Sequence, residues 1–317
     1  MSVTLTHIQS LKQVRTKPSL SVLIPFYKDD PTALLHDLLS QSVDKDAFEI
    51  LVYDDGSDDP ELNAKVCSVV KSATSQTEFL VADKNAGRSA ARNALQENSN
   101  SDWVLFLDAD MRPVTEHFIA DYIKLINSDI GDVIFGGFTV PDAAETADQE
   151  LHRALSEVSD CLTLQDRQAA GPQFVASSNL CVRKDVLLLE GFDDGFKGWG
   201  WEDSEWAARI AKRFTLVHAD NPAIHLGLES TETLLRRFQS SGPNYVRFTK
   251  KHPELAKSLN LFKLSQKLRR VPAQKVMRPF LKTAVRLNIL PTRLRLMALK
   301  MWRASWYAQA FSEEASI

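Results

Sequence analysis

Several features that would assign a protein to a simple class are missing from this sequence. Only three cysteines occur, Cys67, Cys161 and Cys181, and none forms a Cys-x-x-Cys pair, so neither a disulfide framework nor a thiolate metal site is indicated. No apolar run approaches the roughly 18 residues that a membrane-spanning helix needs, and the N-terminal residues lack the apolar core of a secretory signal. We therefore expect a cytoplasmic protein with reduced, mostly buried thiols.

The charge of the chain is unevenly distributed. Over all 317 residues, 38 basic and 41 acidic side chains give a net charge of −3. The stretch from Lys263 to Arg303 holds 12 Lys and Arg residues and no Asp or Glu, which leaves 26 basic against 41 acidic residues elsewhere. This division into an acidic body and a basic tail predicts two parts of the chain with different functions. Because the body is acidic and no RNA or DNA motif is present, we expect no nucleic-acid partner.

Apolar runs alternate with helical patterns over the first 110 residues, which predicts a mostly parallel, doubly wound α/β sheet. The later pattern is looser, with a strand-like 131–140 and a helix in 203–213, and from about residue 231 the chain is helical, divided by Pro272, Pro279 and Pro291. The four clearest runs are LSVLIPFY (20–27), FEILVYDD (48–55), EFLVAD (78–83) and DWVLFLDAD (102–110).

Polar residues follow these strands. Ligands of open α/β sheets bind outside the carboxyl ends of the strands, so the residues placed there are candidates for binding. A single aspartate at a strand end could serve only to cap the next helix, but three strand ends together favour a ligand site. The candidates are Tyr27, Asp54, Asp55, Asn85, Gly87, Asp108 and Asp110.

The last of these strands ends in FLDAD, which places Asp108 and Asp110 two residues apart and on the same side. Two convergent carboxylates suit a hard cation such as Mg²⁺ or Mn²⁺, which can also take phosphate oxygens. The pair thus predicts a metal that bridges a diphosphate, although such a motif also occurs by chance in acidic loops.

The ordered set of motifs resembles the family 2 glycosyltransferases of the GT-A fold, nucleotide-sugar enzymes that usually invert at the anomeric carbon. The likeness lies in SVLIPFY, FEILVYDDGSDD, NAGRSAARN, FLDAD, SSNLCVRKDVLLLEGFDDGF and WEDSEWAARI, in family order across roughly 20–213. GWGWEDSEW (198–206) is similar to the GWGxED signature of galactosyl- and N-acetylgalactosaminyl-transferring relatives, but Trp201 stands where relatives often carry a small residue. The resemblance implies a Rossmann-like GT-A domain over 20–230, with a nucleotide-binding half (20–110) and an acceptor half (111–230). A short N-terminal segment (1–19) and a helical basic extension (231–317) flank this domain.

The resemblance also implies roles for single residues. Tyr27 would stack on the nucleotide base and Asp55 would hydrogen-bond it, with Asp54 as the alternative. Asp203 matches the catalytic base of the family. The other implied contacts are Arg88 and Asn85 with base or phosphates, Asp108 with ribose or metal, and Asp110 and His225 with the metal, His218 being the competing histidine.

Three of the six tryptophans of the chain lie beside acids in GWGWEDSEW. An acceptor sugar presents hydroxyls and an apolar face, on which Trp199 and Trp201 could stack. Asp203 could take the proton of the attacking hydroxyl, while Glu202 binds a neighbouring hydroxyl and so orients the nucleophile. The alternative is that the rings belong to the core and the acids only favour a helix N-terminus. We expect Trp206 to be a core residue and Glu205 to be solvated.

The basic tail ends in a helix that combines apolar, basic and tryptophan residues. Leu294, Met297, Met301 and Ala308 share one side, near Trp302 and Trp306. Such a helix suits an anionic membrane surface, here predicted for 263–311, while a helix packed on the domain is the alternative.

The resemblance implies an inverting, Mn²⁺- or Mg²⁺-dependent glycosyltransferase. Its donor would be a UDP-sugar, with galactose or N-acetylgalactosamine favoured, and its acceptor a glycan or lipid-linked glycan in surface polysaccharide synthesis. A non-catalytic glycan- or membrane-binding subunit with the same fold is one alternative, against which intact Asp55, Asp110 and Asp203 argue. A nucleotidyltransferase is another, but LIPFYKDDP (23–31) lacks the glycine-rich, basic loop that it would need.

Overall fold

The computed structural model describes residues 3–12, 17–272 and 274–315, and the chain divides into two compact units. The predicted boundary near residue 230 differs from this division, because two earlier segments belong with the C-terminal helices. The first, called here the sheet unit, comprises Met1–Thr139, Thr163–Asp194 and Arg209–Gly227, and the second, the helical unit, comprises Val140–Leu162, Gly195–Ala208 and Leu228–Ile317.

The sheet unit is built on an eight-stranded mixed sheet and a three-stranded sheet. Its strands are β1 (Leu5–Gln9), β2 (Leu20–Phe26), β3 (Phe48–Asp54), β4 (Gln76–Ala82), β5 (Trp103–Leu107), β6 (Met111–Pro113), β7 (Val133–Phe135), β8 (Phe138–Thr139), β9 (Asn179–Arg183), β10 (Leu216–His218) and β11 (Ala223–His225). The large sheet has the order β1-β4-β3-β2-β5-β9-β7-β10, and the small one has the order β6-β11-β8. Strands β2 to β5 pair in parallel, as the alternating pattern predicts, whereas β1 and β9 are antiparallel to their neighbours.

Short strands escaped the sequence prediction. β1 lies in the segment predicted to stand outside the domain, yet it pairs with β4 along its whole length. The strand-like stretch 131–140 is two strands, β7 and β8, separated by Gly136 and Gly137. The small sheet includes His225, which seemed isolated in the sequence. The strands of the small sheet have only two or three residues, which are too few to show an alternating pattern.

Helices cover the large sheet and bury its central strands. The side chains of Val22, Ile24, Ile50 and Val52 in β2 and β3 are fully buried, as expected for parallel strands with helices on both faces. The helices of this unit are α1 (Thr32–Leu39), α2 (Pro60–Ser72), α3 (Arg88–Asn98), α4 (Phe118–Asn127), α6 (Leu164–Ala170) and α7 (Lys184–Leu189), with a 3₁₀ turn at Pro172–Phe174.

The helical unit packs around its last helix. Trp302 of that helix is buried and its indole N–H donates to the Leu235 carbonyl oxygen at 2.9 Å, so its predicted place at a membrane interface is wrong. No helix in the described part of the chain has the length and apolar character to cross a membrane. The helices are α5 (Glu150–Ser159), α8 (Glu202–Ile210, whose last two residues belong to the sheet unit), α9 (Thr231–Ser240), α10 (Gly242–Lys251), α11 (Pro253–Ser258), α12 (Asn260–Arg269), α13 (Gln274–Arg286) and α14 (Thr292–Glu314).

Candidate active site

The carboxyl ends of the central parallel strands meet at one edge of the large sheet. β2 pairs in parallel with both β3 and β5, and Phe26 at the end of β2 lies opposite Asp54 at the end of β3. Tyr27, Asp55 and Asp108 directly follow these strands. The topology therefore brings the predicted polar residues to a common edge.

Asp55 holds the loop that precedes α3. Its carboxylate is buried and accepts hydrogen bonds from the backbone N–H groups of Ala86 and Gly87, both at 2.9 Å. Burial raises the pKa of this carboxyl group, and the two backbone hydrogen bonds only partly oppose that rise. Asn85 and Arg88, on either side of the held residues, are exposed.

Asp54 keeps an acceptor atom without a partner. One carboxylate oxygen accepts from the Ser57 N–H at 2.9 Å, while the other is buried and has no hydrogen-bond partner in the described part of the chain. The neighbouring Gly56 has a φ of 70°, and a Cβ there would lie 2.3 Å from the Lys84 carbonyl carbon. Glycine thus lets the two loops touch.

Tyr27 presents its ring at the surface. The side chain is 43% exposed, and the ammonium group of Lys28 lies 5.2 Å from the ring centroid. Lys28 has a φ of 62°, and its N–H donates to the Ser57 hydroxyl at 2.7 Å. An exposed aromatic face at the edge of the sheet can stack on a base.

Asp108 has a partner that sequence reasoning missed. The guanidinium of Arg92, a buried residue of α3, lies 3.3 Å from a carboxylate oxygen of Asp108 and 5.5 Å from the centroid of the Phe192 ring. From the sequence alone, Arg92 would be predicted to lie on the surface of its helix. No local signal reports that this side of α3 faces the carboxylates.

Asp110 contacts His225, as the resemblance implies. The histidine Nε2 lies 3.3 Å from one carboxylate oxygen of Asp110, because β11 pairs with β6 and sets His225 opposite Met111. The other oxygen of Asp110 is buried and has no hydrogen-bond partner among the described residues. Burial opposes ionisation, but the hydrogen bond and charge of His225 and the charge of Arg88 outweigh it and lower the pKa of Asp110.

The pair of Asp110 and His225 fits part of a divalent-cation site. The orphaned oxygen of Asp110 is a carboxylate ligand of the kind that Mg²⁺ and Mn²⁺ prefer, and the imidazole suits Mn²⁺. Within residues 3–12, 17–272 and 274–315, no three Asp, Glu, His or Cys side chains converge to complete a site. Water and phosphate oxygens would have to fill the other positions.

His218 differs from His225 in its surroundings. It lies in β10, its ring packs edge-on against Phe135 at 5.7 Å, and Nδ1 has no partner in the described chain. Burial and the charge of Arg167 lower its pKa to about 4. His225, not His218, is thus the histidine in contact with Asp110.

A clamp residue in α10 holds the glycine-rich loop of the helical unit. The buried side-chain amide of Asn244 donates to the carbonyl oxygens of Lys197 at 2.9 Å, Gly200 at 3.0 Å and Trp199 at 3.4 Å. Its oxygen accepts from the Lys197 N–H at 3.3 Å. Gly200, with a φ of 93°, turns the chain towards α8. Sequence reasoning gave no role to Asn244.

Trp201 packs into an aromatic cluster of the helical unit. Its ring lies 4.4 Å from Tyr245 and 4.9 Å from Phe248, centroid to centroid, and its N–H donates to the Tyr307 hydroxyl at 3.0 Å. These contacts indicate a packing residue rather than an open stacking surface. Trp199 is half-buried against Phe238 at 5.7 Å.

The acids of GWGWEDSEW occupy the first turn of α8. Glu202 is buried and Asp203 is half-buried, both close to the positive end of the helix dipole. Glu205, predicted to be solvated, is buried instead, 3.3 Å from Lys251 and 3.3 Å from His252. Trp206 is fully buried, which confirms its prediction as a core residue.

The mixed sheet, with carboxylates after its parallel strands, is the GT-A fold, and solved structures agree. The mannosyltransferase PcManGT from Pyrobaculum calidifontis in complex with GDP-Man and Mn²⁺ matches with a TM-score of 0.59 and 15% identity, over 94% of this chain and 88% of that one. TarS 1-349 from S. aureus in complex with UDP-GlcNAc matches with a TM-score of 0.52 and 17% identity, over 94% of this chain and 92% of that one. GalNAc-T7 with UDP, GalNAc and Mn²⁺ matches with a TM-score of 0.57 and 16% identity, over 80% of this chain and 52% of that one. Identities this low establish the fold alone.

Sequence comparison defines the family. The model of glycosyl transferase family 2 matches residues 21–188, and a model described as the N-terminal domain of galactosyltransferase matches 163–257. The chain belongs to glycosyl transferase family 2.

Two curated relatives are similar over part of their length. Glycosyltransferase AglE of Haloferax volcanii is 28% identical over 177 residues, which are 54% of this chain and 55% of the relative. An N-acetylglucosaminyltransferase of Neorhizobium galegae is 28% identical over 180 residues, 54% of this chain and 40% of the relative. The matched region spans about half or less of these relatives.

Proposed function

We propose that the protein is an inverting, metal-dependent glycosyltransferase. It moves a sugar from a UDP-sugar to a hydroxyl of a glycan or lipid-linked acceptor, in the synthesis of a surface polysaccharide. The observation that carries the proposal is the orphaned, buried oxygen of Asp110 beside His225, at the end of the strand that also supplies Asp108. A buried carboxylate oxygen without a partner calls for a ligand that the chain itself does not provide.

The sheet unit would bind the donor. Tyr27 offers an exposed ring for the base, and the free oxygen of Asp54 can accept a base N–H. Both carboxylate oxygens of Asp55 accept hydrogen bonds from the backbone that precedes α3, so we assign Asp55 to holding that loop. Asn85 and Arg88 would face the base or the phosphates. Asp110 and His225 would hold Mn²⁺ or Mg²⁺ together with phosphate and water oxygens, and the metal when bound would stabilise the charge of the leaving diphosphate. Asp108, which pairs with Arg92, would contact the ribose.

The helical unit would supply the base. Asp203 accepts the proton of the acceptor hydroxyl, and Glu202 orients a neighbouring hydroxyl. Trp199 is the better candidate for stacking on the acceptor, because the ring of Trp201 is engaged by Tyr245 and Tyr307.

Galactose and N-acetylgalactosamine stay the favoured sugars. The galactosyltransferase match spans 163–257 and so includes GWGWEDSEW. The structure of GalNAc-T7 contains UDP, GalNAc and Mn²⁺, so that set is the first to try. The structure of PcManGT contains GDP-Man, so GDP-sugars are the necessary comparison.

The test separates donor binding from transfer. Binding of UDP-, GDP- and dTDP-sugars is measured by calorimetry with Mn²⁺ or EDTA, and nucleotide release is measured with mixed free and lipid-linked acceptors. Asp203→Asn should keep donor binding and lose at least about 100-fold in transfer, whereas Asp110→Asn should lose the Mn²⁺-dependent part of binding.

Asp102→Asn is the matched control, because Asp102 precedes β5, the strand that Asp110 follows, and its side chain is 80% exposed. It should behave as the wild type. If no donor binds with Mn²⁺, the transferase proposal fails and a non-catalytic binding subunit takes its place.

A further inference from the structure

Helix α13 carries an apolar stripe on its exposed side. Val276 is 66% exposed and Phe280 is 73% exposed. Leu287, just beyond the helix, is 44% exposed, and Ile289 in the following turn is 89% exposed. At 3.6 residues per turn, positions 276, 280 and 287 fall on one side of the helix, so these side chains form a continuous stripe.

Basic residues flank this stripe on one side only. Lys275, Lys282 and Arg286 lie about a third of a turn away from the centre of the stripe, between the stripe and the buried side of the helix. Arg286 pairs with Glu232 at 2.8 Å and so neutralises that acid. From residue 255 to residue 312 the sequence has no Asp or Glu, so α13 to α14 carry an unbalanced positive charge.

A cavity opens beside the basic flank. Its volume is about 470 Å³, and its lining includes Lys275, Lys282, Arg278 and Trp306. The guanidinium of Arg278 lies 3.7 Å from the Trp306 ring centroid and donates to Ser305, so it is fixed in place. Two ammonium groups and a guanidinium that line the same cavity suit a phosphate group.

We propose that the outward face of α13 is a contact surface for an anionic lipid bilayer. The stripe enters the boundary between headgroups and acyl chains, and Lys275 and Lys282 reach lipid phosphates at the cavity beside it. This arrangement of an apolar face next to cations matches the physics of a helix that lies in the interface plane. The surface lies within the predicted stretch 263–311 but on α13 rather than on the last helix. In α14, Trp302 and Ala308 are buried, while Leu294 and Met297 are exposed.

The experiment is co-sedimentation of the full chain with vesicles of phosphatidylcholine alone or with a third of phosphatidylglycerol. We expect binding to the anionic vesicles that weakens at high salt. Phe280→Ser should weaken it by about tenfold. Lys275→Gln with Lys282→Gln should weaken it by about twenty-five-fold, since each cation near an anionic surface contributes about fivefold. Vesicle binding needs no sugar donor, so its outcome is independent of the glycosyl transfer proposed above.

Matched controls come from the sheet unit. Leu188→Ser removes a side chain that is 68% exposed, and Lys65→Gln with Lys71→Gln removes the same charge from α2; both should bind as the wild type. Thermal melts establish that every variant is folded. Equal binding by wild type and Phe280→Ser would overturn the proposal. So would loss of a concentration-dependent dimer in Phe280→Ser by analytical ultracentrifugation without a change in vesicle binding, since α13 would then face a second copy.

Discussion

Asn244 is the residue on which the conformation of the GWGWEDSEW loop depends most directly. Its amide group bridges three loop carbonyls at 2.9 to 3.4 Å, and its oxygen accepts one loop N–H at 3.3 Å. Asn244→Ala removes all four bonds at once. Each such bond contributes about 0.5–1.5 kcal/mol, but water can reach carbonyls of the exposed Lys197, so we expect a loss of about 2 kcal/mol in unfolding free energy.

Asn244→Asp should be worse than Asn244→Ala, because it keeps the shape of the side chain and points a negative oxygen at carbonyl oxygens. The free energy of unfolding is measured by urea titration, and hydrogen exchange of peptides covering 195–203 shows whether the loop opens. With Asp203 as the proposed base, transfer should fall at least about tenfold while donor binding is unchanged, because a displaced carboxylate would no longer meet the acceptor hydroxyl correctly. Asn63→Ala in α2 is the control, because the buried side-chain oxygen of Asn63 has no partner in the described chain. If Asn244→Asp is as stable and active as the wild type, the clamp does not exist.

Three further predictions follow from local geometry. Gly56→Ala should lower the free energy of unfolding by about 2–4 kcal/mol and remove most donor binding. The reason is that Gly56 has a φ of 70° and the new Cβ would lie 2.3 Å from the Lys84 carbonyl carbon. Urea titration measures the stability, and calorimetry measures the donor binding. The pKa of His218 is about 4 in the folded protein, below its unfolded value of about 6.5. The unfolded state therefore binds a proton more readily, and the free energy of unfolding should fall by about 2 kcal/mol as the pH drops from about 6.5 to 4. His218→Asn should abolish that loss in a series of urea titrations. Trp201→Ala should cost about 3–5 kcal/mol and Trp201→Phe about 1 kcal/mol by the same method.

Each of these has an outcome that contradicts it. Wild-type stability in Gly56→Ala would mean that the two loops can separate without loss. A stability curve for His218→Asn that parallels the wild type from pH 7 to 4.5 would assign the pH dependence to other groups. A stable Trp201→Ala protein with altered acceptor affinity would restore Trp201 as a stacking surface.

The sequence was a good guide to the sheet edge. Apolar runs that end in Tyr27, Asp54 and Asp108 reveal both the strand and its end, because a buried parallel strand is apolar throughout and stops being so where it leaves the sheet. Parallel pairing then brings these ends together, which needs no knowledge of side-chain packing. The fold and the candidate donor residues follow from this pattern.

Contacts between residues that are far apart in the sequence could not be predicted from the sequence pattern. Arg92 reaches Asp108 from the helix before its strand, and Asn244 reaches back more than 40 positions to Gly200. Glu205 looks like a solvated helix acid until α10 brings Lys251 to it. Each depends on how helices pack, which no periodicity of the surrounding residues records.

Trp201 shows that helices near the C-terminus fix the conformation of the GWGWEDSEW loop. A φ of 76° is unfavourable for a residue with a side chain and costs about 1–3 kcal/mol, so the surrounding structure has to impose it. The contacts that do so come from α10 and α14, through Tyr245 and the hydroxyl of Tyr307. The backbone that leads into Glu202 and Asp203 is therefore set by helices that lie outside the family motifs. The inward side of α14 is committed to this task, so the membrane contact proposed for the tail has to use outward-facing residues such as those of the α13 stripe.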